Sequence, residues 1–138
     1  MNREIKFRVW DEIHNVFIPN NLYEIVFQLG SSSFGRMIMD WKNYKQEEYF
    51  YNPNQRLNQY TGLKDRNGRE IYEGDIIKFD LETENINERY TEVVEYNQKL
   101  CSFEPLGWAR EVGDSYYSVS IDNIEVIGNI YENPDLLK

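Results

Sequence analysis

Between Tyr60 and Phe79 the chain carries two backbone punctuation marks only seven residues apart, and together they leave little choice of fold. The first is Asn67-Gly68. Both residue types tolerate positive φ, which a two-residue type I′ hairpin turn requires. A longer turn fits the same residues: Asp65 then caps the bend through its side chain and Gly68 takes the left-handed position. Either way the chain reverses here. The second mark is Glu73-Gly74-Asp75. Glycine lacks Cβ and bends where other residues clash, and Ile76-Ile77-Lys78-Phe79, a β-branched and aromatic run typical of strands, follows it. The pattern is strand, turn, strand, glycine corner, strand. Such a corner feeding an apolar strand is found in small SH3-like barrels, a kinship of fold and not of function. The residues have backbone roles as turns: Asp65, Asn67, Gly68, Gly74 and Asp75, with Gly128 further on.

Elsewhere the same period-two logic applies. Ile5, Phe7 and Val9 alternate with Lys6, Arg8 and Trp10, a half-buried strand. Asp11 to Asn15 reads as a turn, Val16 to Ile18 as the return strand, and Tyr23 to Leu29 as a third strand. Met37 to Trp41 fits a short strand or a helical turn. Leu57 to Leu63, Arg69 to Tyr72, Ile76 to Phe79, Thr91 to Tyr96 and Leu100 to Phe103 complete the strand set. Asp80 to Glu92 is acidic and polar and predicts a long hairpin loop. Pro105-Leu106-Gly107-Trp108 breaks the pattern, and Tyr116 to Val119 reads as a short strand. Ile124 to Tyr131 is strongly β-branched, and Gly128 inside it marks a bulge or a close backbone approach. Asp135-Leu136-Leu137 forms a short tail. The chain is therefore expected to be all-β with minor helix: a small SH3-like or partly open β-barrel with additional N-terminal strands. One domain spans 1–138, with 57–131 as barrel core and 30–56 as a long irregular excursion.

Three blocks resemble the YopX family, small proteins encoded by bacteriophages and prophages. They are Arg3 to Asp11, Gln59 to Leu63 running on through Glu73 to Ile77, and Ile124 to Pro134. The resemblance implies a mainly β protein of phage origin. It carries no catalytic or binding residue onto this chain.

Function is less legible. No glycine-rich phosphate cradle precedes a helix, and one histidine and one cysteine make no zinc set. His14 falls in a polar turn where exposure is the default. Cys101 follows Leu100 and is expected as a small core or half-buried side chain. Glu73 and Asp75 are paired carboxylates, but Asp75 is better used as a hydrogen-bonding residue beside the glycine bend. Glu82, Glu84 and Glu88 lack the ligand pattern of a calcium loop. No metal or cofactor is expected and no catalytic constellation is visible; an enzyme of unfamiliar type is the third reading, after a non-catalytic protein-interaction or regulatory module and a single-stranded nucleic-acid-binding module.

Partners follow from charge and aromatics. The net charge is −9, split as +2 over residues 1–69 and −11 over residues 70–138. Phosphate binding depends on neutralising charge, so nucleic acid is disfavoured overall. One segment could still stack and neutralise single strands: Arg36, Trp41, Lys42, Tyr44, Lys45 and Arg56 interleave bases with aromatics, although Glu47 and Glu48 interrupt them. Eleven tyrosines within a 15% aromatic content suit sheet faces and contact surfaces alike. A protein partner is expected, a homo-oligomer included. No apolar run approaches a membrane span, and Met1 to Lys6 has no signal-peptide stretch. The expected location is the cytoplasm of the bacterial host.

Overall fold

The computed structural model describes residues 4–19, 23–27, 36–40, 54–108 and 119–138, with backbone alone for 23–27 and 36–40. The chain is all-β, and its sheet curls as a half barrel. Eleven strands are described: β1 Phe7–Asp11, β2 Val16–Ile18, β3 Tyr23–Phe27, β4 Arg36–Asp40, β5 Gln55–Lys64, β6 Glu70–Tyr72, β7 Asp75–Glu82, β8 Asn87–Val93, β9 Glu95–Asn97, β10 Ser102–Glu104 and β11 Ser120–Asn129. Two 3₁₀ turns, Leu106–Trp108 and Pro134–Leu137, are the helical pieces among them. Among the described residues no helix is long and apolar enough to cross a membrane. The chain packs as two compact units, Met1–Phe7 with Asn58–Lys138, and Arg8–Leu57.

The larger unit is built around β7, which lies between β11 and β8 in an antiparallel sheet. A central strand is covered on both faces, and β7 shows it: Ile76, Ile77 and Phe79 are fully buried. Ile77 and Phe79 join Ile71, Val94, Phe103 and Val126 in one apolar cluster. Truncating a buried phenylalanine such as Phe79 costs about 3–5 kcal/mol, against a whole-domain stability of about 5–15 kcal/mol. The cluster therefore decides whether the unit folds.

Its strands are aligned by the two bends. At the first, the Asp65 N–H donates to the Arg69 carbonyl at 2.8 Å and the Gly68 N–H to the Asp65 carbonyl at 2.9 Å. Gly68 has φ +82°, and Asn67 is not among the positive-φ residues. This is the longer, aspartate-capped turn, closed by a glycine in the left-handed region. The Asp65 carboxylate is buried. Its Oδ1 accepts from the amides of Asn67 at 2.8 Å and Arg69 at 2.9 Å, and its Oδ2 from the amide of Val126 at 3.0 Å. Burial raises such a carboxyl's pKa, but the amides of Val126, Arg69 and Asn67 outweigh it and hold Asp65 below its usual value.

At the second bend Gly74 has φ +78°, where any side chain is strained. Its N–H donates to the Val94 carbonyl at 2.8 Å, and its carbonyl accepts from Ile130 at 2.9 Å. Asp75, fully buried, takes the Tyr72 amide on Oδ2 at 2.8 Å and the Val94 amide on its backbone carbonyl at 2.8 Å. One corner thus bonds to the ends of β6, β8 and β11.

Gly128 serves packing as well as pairing. The β11–β7 register shifts between Val126 and Gly128, and a Cβ on Gly128 would lie 2.7 Å from Asn133 Oδ1 and 2.8 Å from Leu136 Cδ1. The C-terminal tail folds back over this strand. Asn129 fixes the reversal by accepting on Oδ1 from the amides of Tyr131 at 3.0 Å and Glu132 at 2.9 Å.

The long loop expected over Asp80 to Glu92 is a correction. β7 runs to Glu82, a tight turn is held by Thr83, and β8 returns from Asn87. Charge alone does not forbid a strand whose face meets solvent. Asp80 stands opposite Arg89 in the register, with its carboxylate 3.7 Å from the guanidinium. Opposite charges facing across a ladder support it.

In the smaller unit β1 and β2 form a hairpin, with Trp10 opposite Phe17 and their rings edge-on at 4.9 Å. The Asp11 carboxylate caps the turn by accepting from the amides of Ile13 at 2.8 Å and His14 at 3.1 Å. β3 and β4 pair antiparallel from Tyr23 opposite Asp40 to Phe27 opposite Arg36. Within the expected excursion 30–56, Arg36–Asp40 is therefore a strand, and so is the start of β5. Residues 30–35 and 41–53 lie outside the described residues.

Two outcomes test this frame. Asp65→Ala strands the buried Val126 amide and should lower unfolding free energy by about 2–4 kcal/mol. Asp65's folded pKa is depressed, so its contribution is complete above the usual 3.8 and is lost as pH falls through the folded value. The variant's deficit, followed by urea denaturation, should shrink on acidification. Gly128→Ala should cost about 1–3 kcal/mol through overpacking, and a neutral result would show that the tail is not seated on β11.

Candidate functional site

Among the described residues, exposed apolar side chains gather around two neighbouring concavities. Both lie beside the β9–β10 hairpin and the 3₁₀ turn after it. Ser102, Phe103 and Glu104 lie opposite Asn97, Tyr96 and Glu95. At the tip, Asn97 Oδ1 accepts from the amides of Lys99 at 3.0 Å and Leu100 at 3.3 Å. Cys101 completes the reversal with φ +51°. Phe103 turns inward to the core, and Tyr96 meets it edge-on at 5.2 Å. Past Pro105 the chain turns at once, with the Trp108 amide donating to the Pro105 carbonyl at 2.9 Å.

Gly107 lets this turn lie flat on β10. A Cβ there would stand 2.9 Å from Ser102 Oγ and 3.1 Å from Glu104 Oε1. The consequence is that Trp108, though edge-on to Phe79 at 6.0 Å, remains 40% exposed. Leu100 at the tip is 49% exposed, and Leu63 and Tyr96 are exposed as well. Two open concavities flank the turn and meet at Gly107. One, of about 340 Å³, is walled by Thr61, Leu63, Tyr96, Cys101, Ser102, Phe103 and Leu106. The other, of about 370 Å³, is walled by Leu81, Thr83, Leu100, Glu104, Trp108 and Val119. Four large apolar side chains, together with Glu104 and Thr83, make the second a surface for binding by contact.

Cys101 is a correction. The sequence predicts a small core or half-buried side chain, but Cys101 is exposed, as is Leu100. An apolar neighbour says little at a hairpin tip, where the left-handed backbone directs side chains off the sheet. Its Sγ contacts the Gln98 carbonyl at 3.5 Å.

The other candidate residues fall elsewhere. Arg36 begins β4, described by its backbone, and Trp41, Lys42, Tyr44 and Lys45 lie outside the described residues. Arg56 is engaged by Glu12 at 2.7 Å. His14 is exposed at the β1–β2 turn, its ring 2.9 Å from Asp11. Glu73 and Asp75 both accept backbone amides, from Gln59 at 2.9 Å and Tyr72 at 2.8 Å. The turn residues Asp65, Gly68, Gly74 and Gly128 sit in the frame described above, away from the two concavities' walls.

A titratable cluster also lies near the chain start. Lys6 Nζ reaches both Glu70 oxygens at 2.7 and 2.8 Å, and the Tyr72 hydroxyl donates to Glu70 at 2.8 Å. The Lys6 and Tyr72 hydrogen bonds lower the Glu70 pKa, and the Glu70 bond raises that of Lys6. Each partner stabilises the charged form of the other, which makes a brace. Among the described residues no group of three or more His, Cys, Asp and Glu side chains is placed to hold a metal ion.

The family model described as YopX protein matches residues 6–138. The chain belongs to the YopX family. Among solved structures, this YopX chain is similar to protein EF1440 from Enterococcus faecalis, known from its crystal structure. Identity is 26% and the TM-score 0.51, over 99% of this chain and 100% of that one. The likeness extends the shared architecture over the full length. Among curated proteins none matches the chain.

Sequence reasoning did not find Leu100, Gly107 and Trp108 as a site. The signal was present in the break at Pro105-Leu106-Gly107-Trp108, where apolar residues interrupt the strand pattern beside a proline and a glycine. A direct check of the surface is thiol labelling. Cys101 is the chain's single cysteine and should react in the native protein at a rate close to that of the unfolded chain. Slow labelling that tracks global unfolding would contradict the exposed hairpin tip.

Proposed function

We propose that this YopX protein is a non-catalytic protein-interaction or regulatory module of phage or prophage origin, acting in the cytoplasm of the bacterial host. One observation carries the reading: the exposed apolar surface formed by Leu63, Tyr96, Leu100 and Trp108 around the β9–β10 hairpin. Monomeric proteins seldom leave large apolar side chains grouped around concavities unless something binds there. Trp and Tyr in addition are the residue types that dominate contact energies at interfaces. Membership of the family and the three sequence blocks support the phage origin. Absent catalytic motifs in the sequence and carboxylates spent on backbone amides support a role without turnover.

A second reading, binding of single-stranded nucleic acid through Arg36 to Arg56, is less favoured. Arg56 is already paired with Glu12, and the chain's net −9 opposes phosphate. Self-association is the other alternative. β8 is the outer strand of its sheet among the described residues, but Glu88, Arg89 and Glu92 guard that edge with charge.

Affinity capture from cells carrying the prophage tests the reading when run with two baits, the native chain and Leu100→Ser. Leu100 is exposed, so the variant should melt within about 0.5 kcal/mol of native. A protein retained by the native bait and lost with the variant is the expected result. Identical capture by both baits, together with salt-sensitive binding of single-stranded oligonucleotides, would favour the nucleic-acid reading instead.

A further inference from the structure

Resting on that interaction reading, we infer that the concavity walled by Leu81, Leu100, Trp108 and Glu104 takes a basic segment of another protein, one in which a bulky apolar residue is flanked by Lys or Arg. The apolar walls set the anchor. Trp108 and Leu100 are half-exposed on either side of an open recess of about 370 Å³, large enough for one aromatic or aliphatic side chain and its backbone.

The charge around the recess sets the flanks. Glu104 lines it, and the β9–β10 register places Glu95 directly opposite Glu104. Like charges facing across a two-stranded ladder destabilise it, and nothing in folding the hairpin requires them. Glu104 Oε1 is oriented by the Ser102 hydroxyl at 2.8 Å, which holds the carboxylate beside the recess. The surrounding segment, residues 80–108, has seven Asp/Glu against two Lys/Arg, a net −5. Of those two bases, Arg89 already lies 3.7 Å from Asp80 and 3.8 Å from Glu125. The local field is therefore negative and favours a cationic partner.

The same charges discriminate among occupants. A second copy would bring its own acidic hairpin to the contact, and like-charge juxtaposition suppresses wrong partners. Phosphate backbones are repelled for the same reason. A peptide with a neutral flank would gain the apolar contact alone. A basic peptide gains the contact and faster association, and its binding weakens as salt rises.

The test uses the full chain, immobilised, and a displayed library of random short peptides. Selected peptides are then measured by fluorescence anisotropy against native, Leu100→Ser and Glu95→Lys proteins, and each protein is sedimented alone. The expected result is enrichment of an aromatic or aliphatic anchor beside Lys or Arg. Affinity should fall roughly tenfold in Leu100→Ser, as for the loss of an interface anchor. Glu95→Lys should weaken binding and flatten its salt dependence. Binders that depend on Leu100 but carry neutral or acidic flanks would overturn this inference and leave the interaction reading standing. So would a dimer that Leu100→Ser dissolves, since the occupant would then be a second copy. A library yielding no binder sensitive to Leu100 would overturn both.

Discussion

A single buried carboxylate joins parts of the larger unit that are distant in sequence. Asp65 spends one oxygen on its own turn, through Asn67 and Arg69, and the other on Val126, 61 residues away. An unsatisfied buried amide costs about 1–3 kcal/mol, so a carboxylate that satisfies three amides decides where the last long strand sits. Asp75 repeats the device at the next bend, where Gly74 supplies the conformation and Asp75 the acceptor. With β11 and β8 both tied to this short stretch, β7 is left in the middle and its apolar residues have no route to solvent.

The surface follows from the frame. Phe103 belongs to the apolar cluster, so β10 is pinned on its inner face. What lies past it has to turn immediately, and Gly107 permits a turn so close that the next side chain, Trp108, lands over the edge of the core with one face open. Leu100, next to Cys101 in the left-handed region, lines the same recess. The apolar recess is thus a consequence of how the hairpin is anchored, and its acidic wall comes with the register that sets Glu104 opposite Glu95.

The bends were legible in the sequence because turn chemistry is local. Asp65, Gly68 and Gly74 each announce a backbone requirement within a few residues of themselves. Gly128 was legible as a bulge or close approach, and it is both: the register slips there, and Asn133 and Leu136 close over it. What failed was inference from polarity. The charge of Asp80 to Glu92 predicts a loop, yet a strand facing water accommodates charges that pair across the ladder. The apolarity of Leu100 predicts a core or half-buried Cys101, but the backbone at a hairpin tip overrides its neighbour. The break at Pro105-Leu106-Gly107-Trp108 was legible, but the recess beside it was not. That recess brings Leu81, Leu100, Trp108 and Val119 together from three stretches of chain, and no local pattern announces that meeting.

Amide hydrogen exchange measured residue by residue in native and Asp65→Ala proteins tests the coupling most directly. If Asp65 fixes β11 on β7, the amides of β11 and of its β7 partners should lose protection together, by the same free energy as the turn amides. Loss confined to residues 65–69, with β11 as protected as before, would show that the long strand is held by its apolar contacts alone and that Asp65 is only a local cap.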